Sequence, residues 1–381
     1  MPRTRAVSVP ADLLYSASQS KFARKRGWIT TPKTLISAIT CALQGLTVPV
    51  EYPSHSYMSS APMRDGSDDE IPAGEPTPAS GRLPHIGLLR FAGPDAQRFL
   101  QGQVSNDTSR LSGGAVLLAA YSTAQGRVTA VLHLLPHSSG VIALLPRELL
   151  PSTMQRLRKF VLRAKVDIQD VSEQFSVVGW HRAADPDAGA LHAAGIGTPD
   201  PAGGYAERNG IGIGRVGQDS SRYWLIGPTA SLAERGLEGG GARIEHDWRL
   251  ADIRGGLPQV YAQTSELFVA QMLNLDLIDG ISFTKGCFTG QEIIARTQHL
   301  GRIKRRMFRL RLPPGTWEIG QALKLHDGRT GRLTELASHG ATFEALAVLT
   351  LEAGAPEAEV SSGDEVAAVE LPLPYRQVPA T

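Results

Sequence analysis

Apolar residues between Leu83 and Leu351 recur in short runs, separated by glycine, proline and aspartate. Runs of this length that are bounded by turn residues are typical of β-strands. They predict strands at 88–91, 115–122, 127–135, 141–145, 165–168, 175–180, 210–216 and 222–226. Helices are predicted after Gly93-Pro94-Asp95, at 154–162 and from about residue 231. Together these elements predict an α+β fold with mostly antiparallel sheet.

The pattern changes after Gly301, where shorter alternating runs predict strands at 307–312, 322–325, 329–335 and 343–351. Closely spaced short strands with turns between them are typical of a small β-barrel. Within 307–312, alternation places Phe308, Leu310 and Leu312 on the core side, and the arginines between them on the outer face.

A dense basic run covers the start of this C-terminal region. It contains Arg302, Lys304, Arg305, Arg306, Arg309 and Arg311. The run predicts either a solvated strand face or a docking site, and the docking site would take polyglutamylated folate or a nucleic-acid phosphate backbone.

Residues 1–80 differ in composition from the rest of the chain. Their first 50 residues have several cations against one acid, Asp12, and a stretch rich in proline, serine, glycine and aspartate follows. This composition predicts a disordered extension or upstream sequence. The basic start also has features of an organellar transit peptide, and residues 35–50 have features of the apolar core of a secretion signal.

Composition excludes several classes of protein. With 381 residues, 42% hydrophobic and 20% charged, the chain can build two or three domains. A net charge of +2 gives no general affinity for polyanions. The sequence has no uninterrupted run of 18 apolar residues, so it predicts no membrane span.

Cys41 and Cys287 are the two cysteines of the chain. Two cysteines so far apart exclude a disulfide scaffold, and they exclude a metal or cluster site built from the cysteines of this chain alone. A reducing compartment is therefore expected, namely the cytoplasm or, as an alternative, the mitochondrial matrix.

The segment 280–292 carries the strongest candidate chemistry. Residues 281–283 predict a strand, followed by a glycine loop and a helix from about Gln291 to His299. Cys287 lies just before this helix and two residues from Lys285, and both features favour the thiolate. Cys287 is therefore a candidate reactive cysteine. The alternatives are a buried structural cysteine and, for Lys285, a solvated loop charge.

Residues 268–296, with Lys-Gly-Cys-Phe-Thr-Gly-Gln-Glu at 285–292, closely resemble the signature of the YgfZ family, the folate-binding relatives of the glycine cleavage T-protein. The resemblance extends from about Leu83 to Tyr375, because other positions match the family in the same order. These matching positions are Gly93, Asp95, the Gln-Gly-Gln-Val run at 101–104, Asp107, the Gln-Gly-Arg turn at 125–127, Lys165, Val166, Trp248, Ile253, Gly256, Pro258 and the Pro-Leu-Pro-Tyr run at 372–375.

The resemblance implies a T-protein-like architecture. Its parts would be α+β modules at 81–170 and 171–305, the second bearing the signature, and a C-terminal β-barrel at 306–376. It implies a central opening for tetrahydrofolate or a related reduced folate. It further implies a folate-binding accessory protein for iron–sulfur cluster assembly or repair, whose partners are iron–sulfur client or assembly proteins and cluster-dependent tRNA-modifying enzymes.

The resemblance also implies roles for particular residues. Cys287 would be the cluster ligand or nucleophile, with Lys285 helping to hold it ionised. Trp248 would stack on the pterin of the folate, unless it is a core tryptophan, and Ile86 replaces the second tryptophan of the family. The other residues expected to bind the cofactor or anchor the loop are Gly286, Gly290, Gln291, Glu292 and Arg296.

The enzymatic alternative is a folate-dependent aminomethyl or one-carbon transferase. The T-protein resemblance implies that such an enzyme carries a carboxylate shortly after the glycine turn of the early hairpin. Here the turn is followed by Arg127-Val128-Thr129-Ala130, which contains no acid. We therefore expect no aminomethyltransferase activity. A third alternative is an RNA-binding module that uses the basic run.

Overall fold

The computed structural model describes residues 79–197, 204–217, 219–299, 303–353 and 365–376. The extension expected at residues 1–80 lies outside the described residues up to position 78, as do Cys41, Gly301 and Arg302. The described residues form three five-stranded sheets with short helices packed around them.

The first sheet has the strand order β3-β4-β5-β2-β6, and its strands pair antiparallel. Its elements in chain order are β2 (Ile86–Ala92), helix α1 (Ala96–Gln101), a 3₁₀ turn (Thr108–Gly113), β3 (Leu117–Ser122), β4 (Val128–His137), β5 (Gly140–Pro146), helix α2 (Leu150–Arg158) and β6 (Asp167–Asp170). Phe99 and Leu100 of α1 are buried against this sheet.

The second sheet has the order β1-β7-β10-β9-β8 and is also antiparallel. Its elements are β1 (Ser80–Arg82), β7 (Phe175–His181), helix α3 (Gly189–Ala193), β8 (Tyr205–Arg208), β9 (Ile211–Val216), β10 (Asp219–Pro228), and helices α4 (Thr229–Glu234) and α5 (Gly241–Arg254). Strand β1 precedes the first sheet in the chain but pairs with β7, with Ser80 opposite Trp180.

The third sheet has the order β12-β13-β14-β11-β15. Its strands are β11 (Arg305–Leu312), β12 (Ala322–Lys324), β13 (Thr330–His339), β14 (Thr342–Thr350) and β15 (Val369–Leu371). Phe308, Leu310 and Leu312 are buried, as the alternation predicted. Within the described residues, the edge strands β12 and β15 do not pair with each other, and an isolated bridge between Leu325 and Val366 links the chain beside them. The described part of the chain therefore shows an open sheet with one bridge across its edges and not the closed β-barrel that was expected.

The strand predicted at 281–283 is absent, and this segment is irregular. The backbone N–H of Ser282 donates to the carbonyl of Ser105 at 3.0 Å, and the Ser105 hydroxyl donates to the carbonyl of Gly280 at 2.6 Å. The prediction was wrong because these contacts with Ser105 satisfy the local backbone without a neighbouring strand.

The basic run is less solvated than a free strand face would be. Arg306 is 5% exposed and donates two hydrogen bonds to Asp276, at 2.6 and 2.9 Å. Arg309, expected on the outer face, donates to Glu344 at 2.6 Å. Both guanidinium groups are therefore paired with carboxylates of the protein. On a fully solvated strand face they would be hydrated by water instead.

Helix α5 packs against β1 of the second sheet and β13 of the third. Ile244, Trp248 and Ile253 form its buried side, and Arg254 at its end donates to Glu344 of β14 at 2.7 Å. The helix thus joins two of the three sheets, and its buried side faces a space between all three. No helix in the described part of the chain is long and apolar enough to cross a membrane.

Candidate functional site

Two close glycine contacts position the signature loop. Helix α6 (Gln291–His299) begins directly after Gly290, whose φ is +84°. A β-carbon at Gly290 would lie 2.7 Å from the carbonyl oxygen of Thr123, and one at Gly126 would lie 2.9 Å from Ile293. The β3–β4 turn therefore rests directly on the start of α6, and a side chain at either glycine would separate the two.

Lys285 ties the loop to the segment that follows α1. Its ammonium group donates to the carbonyl oxygens of Gln101, Val104 and Asn106 at 2.7, 2.7 and 2.8 Å. Burial lowers the pKa of Lys285 to about 8, opposed by the negative charge of Asp107. An ammonium group has three protons, and carbonyls accept all three. Lys285 therefore has no proton left to donate to Cys287, and its expected help to the thiolate rests on its positive charge alone.

Cys287 is free and exposed, rather than buried in a tight turn. Its neighbours on both sides are anchored: Lys285 is 8% exposed, and Phe288 is 9% exposed, with its ring 5.0 Å from the Lys285 ammonium. The thiol thus stands at the surface on a loop fixed from beneath, which suits contact with a partner molecule.

The remaining signature residues occupy different environments. Gly286 is exposed, with open space where a side chain would be, whereas Gln291 is half-buried. Glu292 and Arg296 are exposed on α6. Sequence reasoning missed the buried Gln271, whose amide donates to the carbonyl of Ile294 at 2.7 Å and holds the helix from below. Its position inside the signature, next to apolar residues, was the available signal.

A cavity lies where the three sheets meet. Its walls come from β2, β4 and β5 of the first sheet, β10 of the second, helix α5 with the chain after it, and β13 of the third. Its free volume is about 20 Å³, which is room for one water molecule. Each of these segments contributes only a few residues to the wall, and the segments lie far apart in the sequence. The cavity therefore forms only when the three sheets assemble around α5.

Several polar atoms in the cavity wall have no hydrogen-bond partner within the part of the chain that the structure describes. They are the indole nitrogens of Trp224 and Trp248 and the side-chain oxygen of Gln259. Unpaired buried polar atoms destabilise a protein by about 1–3 kcal/mol each, so few persist without a reason. The wall offers two donors and one acceptor to a polar group that enters the cavity.

Glu335 is a buried acid of the cavity wall. It is 2% exposed, and it accepts a short hydrogen bond from the Tyr261 hydroxyl. Arg249 lies 3.5 Å from the carboxylate and donates to the Tyr261 oxygen at 3.0 Å. Burial raises the pKa of Glu335 to about 7, although Arg249 opposes the shift. Near neutral pH the carboxyl group can therefore accept or donate a hydrogen bond.

Two histidines of the wall are held neutral. Burial, with the charge of Arg249, lowers the pKa of His85 to about 3. Burial, with the charge of Arg222, lowers the pKa of His133 to about 4. At neutral pH the cavity wall therefore combines neutral imidazoles and indoles with the charged Arg249, Asp252 and the titrating Glu335.

The residues predicted to form one site lie in two places. Trp248 is fully buried in the cavity wall, its ring 6.5 Å from that of Trp224, and Ile86 lies in the same wall. Phe288, next to Cys287, belongs to a different hydrophobic cluster from Trp248. The described residues contain no group of three or more His, Cys, Asp or Glu side chains that could hold a metal ion.

Comparison of structures places the fold in a known class. The aminomethyltransferase T of the glycine cleavage system from Bartonella henselae matches with a TM-score of 0.51 at 14% identity, covering 71% of this chain and 78% of that one. The fold is therefore that of a glycine cleavage T-protein, which confirms the α+β class predicted from the sequence.

Comparison of sequences narrows the class to a family. The tRNA-modifying protein YgfZ of Colwellia psychrerythraea is 32% identical over 231 residues, covering 59% of this chain and 69% of that protein. The protein of the same name from Edwardsiella ictaluri is 33% identical over 232 residues, covering 58% and 68%. No protein-family model matches the chain. The chain belongs to the YgfZ family.

Proposed function

We propose that this protein is a folate-binding accessory protein that supports iron–sulfur cluster assembly or repair and, through it, cluster-dependent tRNA modification. Two findings support the proposal: relatives are named tRNA-modifying proteins, and the fold is shared with an aminomethyltransferase of the glycine cleavage system. The proposed compartment is the cytoplasm, with the mitochondrial matrix as the alternative.

The cavity between the three sheets is the observation that carries the proposal. A pterin ring presents donors and acceptors along one edge, and it prefers an apolar or aromatic surround with a few placed polar groups. The indoles of Trp224 and Trp248 can donate to such a ring, and Glu335 can accept from it or donate to it. The donor set therefore fits a reduced folate.

The free volume of about 20 Å³ is smaller than a pterin. Binding therefore requires side chains of the wall to move apart. Moving His85 and His133 exposes no charge, because both are neutral at pH 7. When bound, a reduced folate would supply one-carbon or redox chemistry, whereas these residues bind and orient it.

Cys287 is the proposed point of contact with a cluster, a persulfide or a client protein. It is exposed, and its loop is held by Lys285 and by the Gly126–Gly290 contact. One thiolate cannot hold an iron–sulfur cluster alone, so a client protein or a small thiol would supply the other ligands.

The transferase alternative lacks its acid in the early hairpin. Position 129 is a threonine whose hydroxyl donates to the carbonyl of Tyr121 at 2.9 Å, and Arg127 donates to the carbonyl of Leu267 at 2.6 Å. Both side chains are engaged in structural contacts with the backbone. Consumption of folate and a one-carbon donor by the purified protein would favour the transferase.

The test is the activity of iron–sulfur enzymes in cells that lack this protein, complemented at matched expression. Wild type should restore activity and Cys287→Ala should not. Thr284→Ala is the matched control, because Thr284 is exposed on the same loop, and it should restore activity fully. Equal rescue by wild type and Cys287→Ala would remove the thiol from the proposed function.

A further inference from the structure

The end of helix α2 and the chain after it form a basic surface. Between Glu148 and Asp167 there is no acidic residue. In the same interval stand the cations Arg156, Arg158, Lys159, Arg163 and Lys165, and every one of them is exposed. This is a concentrated positive charge on a protein whose net charge is only +2.

In the part of the chain that the structure describes, two of these five cations have structural partners within the protein, and three do not. Arg156 pairs with Glu266 at 2.5 Å, and Arg158 donates to the carbonyl of Ile168 at 2.7 Å. Both also lie in the last turn of α2, where the helix dipole favours positive charge. Within the described residues, the side chains of Lys159, Arg163 and Lys165 form no ion pair, and Arg163 and Lys165 lie beyond the end of the helix.

Two large apolar side chains stand among these cations. Phe160 is 49% exposed and Leu162 is 86% exposed, whereas Val161 between them packs against the core. Successive turn hydrogen bonds fix the backbone here, with Lys159, Phe160 and Val161 donating to Arg156, Leu157 and Arg158 at 3.2, 3.0 and 3.2 Å. Phe160 and Leu162 are thus held outward by ordered backbone, a feature typical of a binding surface.

We propose that residues 156–165 form a docking surface for single-stranded RNA. The free cations Lys159, Arg163 and Lys165 contact phosphates, and Phe160 stacks on a base, the combination that proteins use to bind single strands. The choice of RNA over an anionic lipid surface rests on the tRNA-linked function proposed above. The basic run at 302–311 is a poorer surface for RNA, because Arg306 and Arg309 are engaged by carboxylates.

The test is fluorescence anisotropy of a labelled oligouridine with the full chain, across a range of salt concentrations. Wild type should bind with a salt-dependent affinity. Lys159→Glu with Arg163→Glu should weaken binding at least about ten-fold and reduce the salt slope by about 1.4, since each phosphate contact on a single strand contributes about 0.7. Phe160→Ala should weaken binding about five-fold or more with the slope unchanged, because stacking carries no counterions.

The matched control is Arg182→Glu with Arg208→Glu, which makes the same change of charge at two exposed cations of the second sheet region. It should bind RNA like wild type. An equal loss in this control, or no salt-dependent binding by wild type, would overturn the proposal. Binding of wild type to phosphatidylserine vesicles through Phe160 and Leu162, without RNA binding, would also overturn it.

A folate titration of the same variants separates this inference from the proposed function. Lys159→Glu with Arg163→Glu should bind reduced folate like wild type, because neither residue lines the cavity. Folate binding without RNA binding in wild type would overturn the docking surface alone. RNA binding without folate binding would overturn the folate proposal alone.

Discussion

Tyr261 donates a hydrogen bond to the carboxyl group of Glu335, and 74 residues separate the two in the chain. The contact joins the segment after α5 to strand β13 across the wall of the central cavity. It couples the third sheet to the helix that carries Trp248. A proton on Glu335 is therefore linked both to the stability of the protein and to the polarity of the cavity.

Glu335→Gln should change how stability depends on pH. Burial raises the pKa of Glu335 from 4.5 to about 7, so the folded protein binds this proton more tightly than the unfolded chain does. The resulting stabilisation is full below about pH 4.5 and is lost as the pH rises through about 7. From about pH 5 to 8, the unfolding free energy of wild type should fall by up to about 3 kcal/mol relative to the variant.

Urea unfolding of both proteins across this pH range gives that difference. His85 and His133 have lowered pKa values, so they reduce the unfolding free energy as the pH falls below about 6.5. Because both proteins contain these histidines, subtracting the unfolding free energy of the variant from that of wild type removes their contribution. Glu292→Gln, at an exposed site on α6, controls for the chemical change. A difference that stays constant with pH would show that Glu335 is not a buried titrating acid.

Lys285→Met should destabilise the protein by about 3 kcal/mol, since it leaves the carbonyls of Gln101, Val104 and Asn106 without their donor. It should also speed hydrogen exchange in residues 281–290, measured by mass spectrometry. Lys159→Met, at an exposed lysine, should change neither quantity appreciably. Unchanged exchange in Lys285→Met would mean that the ammonium group does not anchor the loop.

Gly290→Ala should destabilise the protein by about 2 kcal/mol or more, because it combines a φ of +84° with a β-carbon only 2.7 Å from the Thr123 oxygen. Gly286→Ala is the matched control in the same loop, where a side chain meets open space, and it should change stability by less than about 1 kcal/mol. Thermal unfolding compares the two variants. Equal effects would contradict the close contact between the early hairpin turn and α6.

Hydrophobic alternation located most of the strands. The runs at 88–91 and 222–226 became the central parts of β2 and β10, and the run at 127–135 covers most of β4. The strand predicted at 281–283 failed because Ser105 satisfies that backbone from a distant part of the chain, which no local pattern reveals. Helix α5 was missed, although Ile244 and Trp248 are spaced by one helical turn and Gly255 follows the helix.

The sequence predicted the residues of the signature loop, but it did not predict most of the residues that line the cavity. The signature located Cys287 and Lys285, but residue type did not distinguish an ammonium group aimed at the thiol from one bound by three carbonyls. Trp248 was singled out by resemblance, whereas Gln259, Tyr261 and Glu335 carry no local motif. They meet only through the assembly of the three sheets around α5.

Titration of the purified chain with 5-formyltetrahydrofolate, a stable reduced folate, tests the central claim most directly. Calorimetry and the fluorescence of the cavity tryptophans report binding independently. We expect one folate per chain for wild type and for Cys287→Ala, and at least about a ten-fold weaker affinity for Glu335→Leu, which removes the polar partner without adding charge. No binding by wild type, or equal binding by Glu335→Leu, would contradict a folate site in the central cavity.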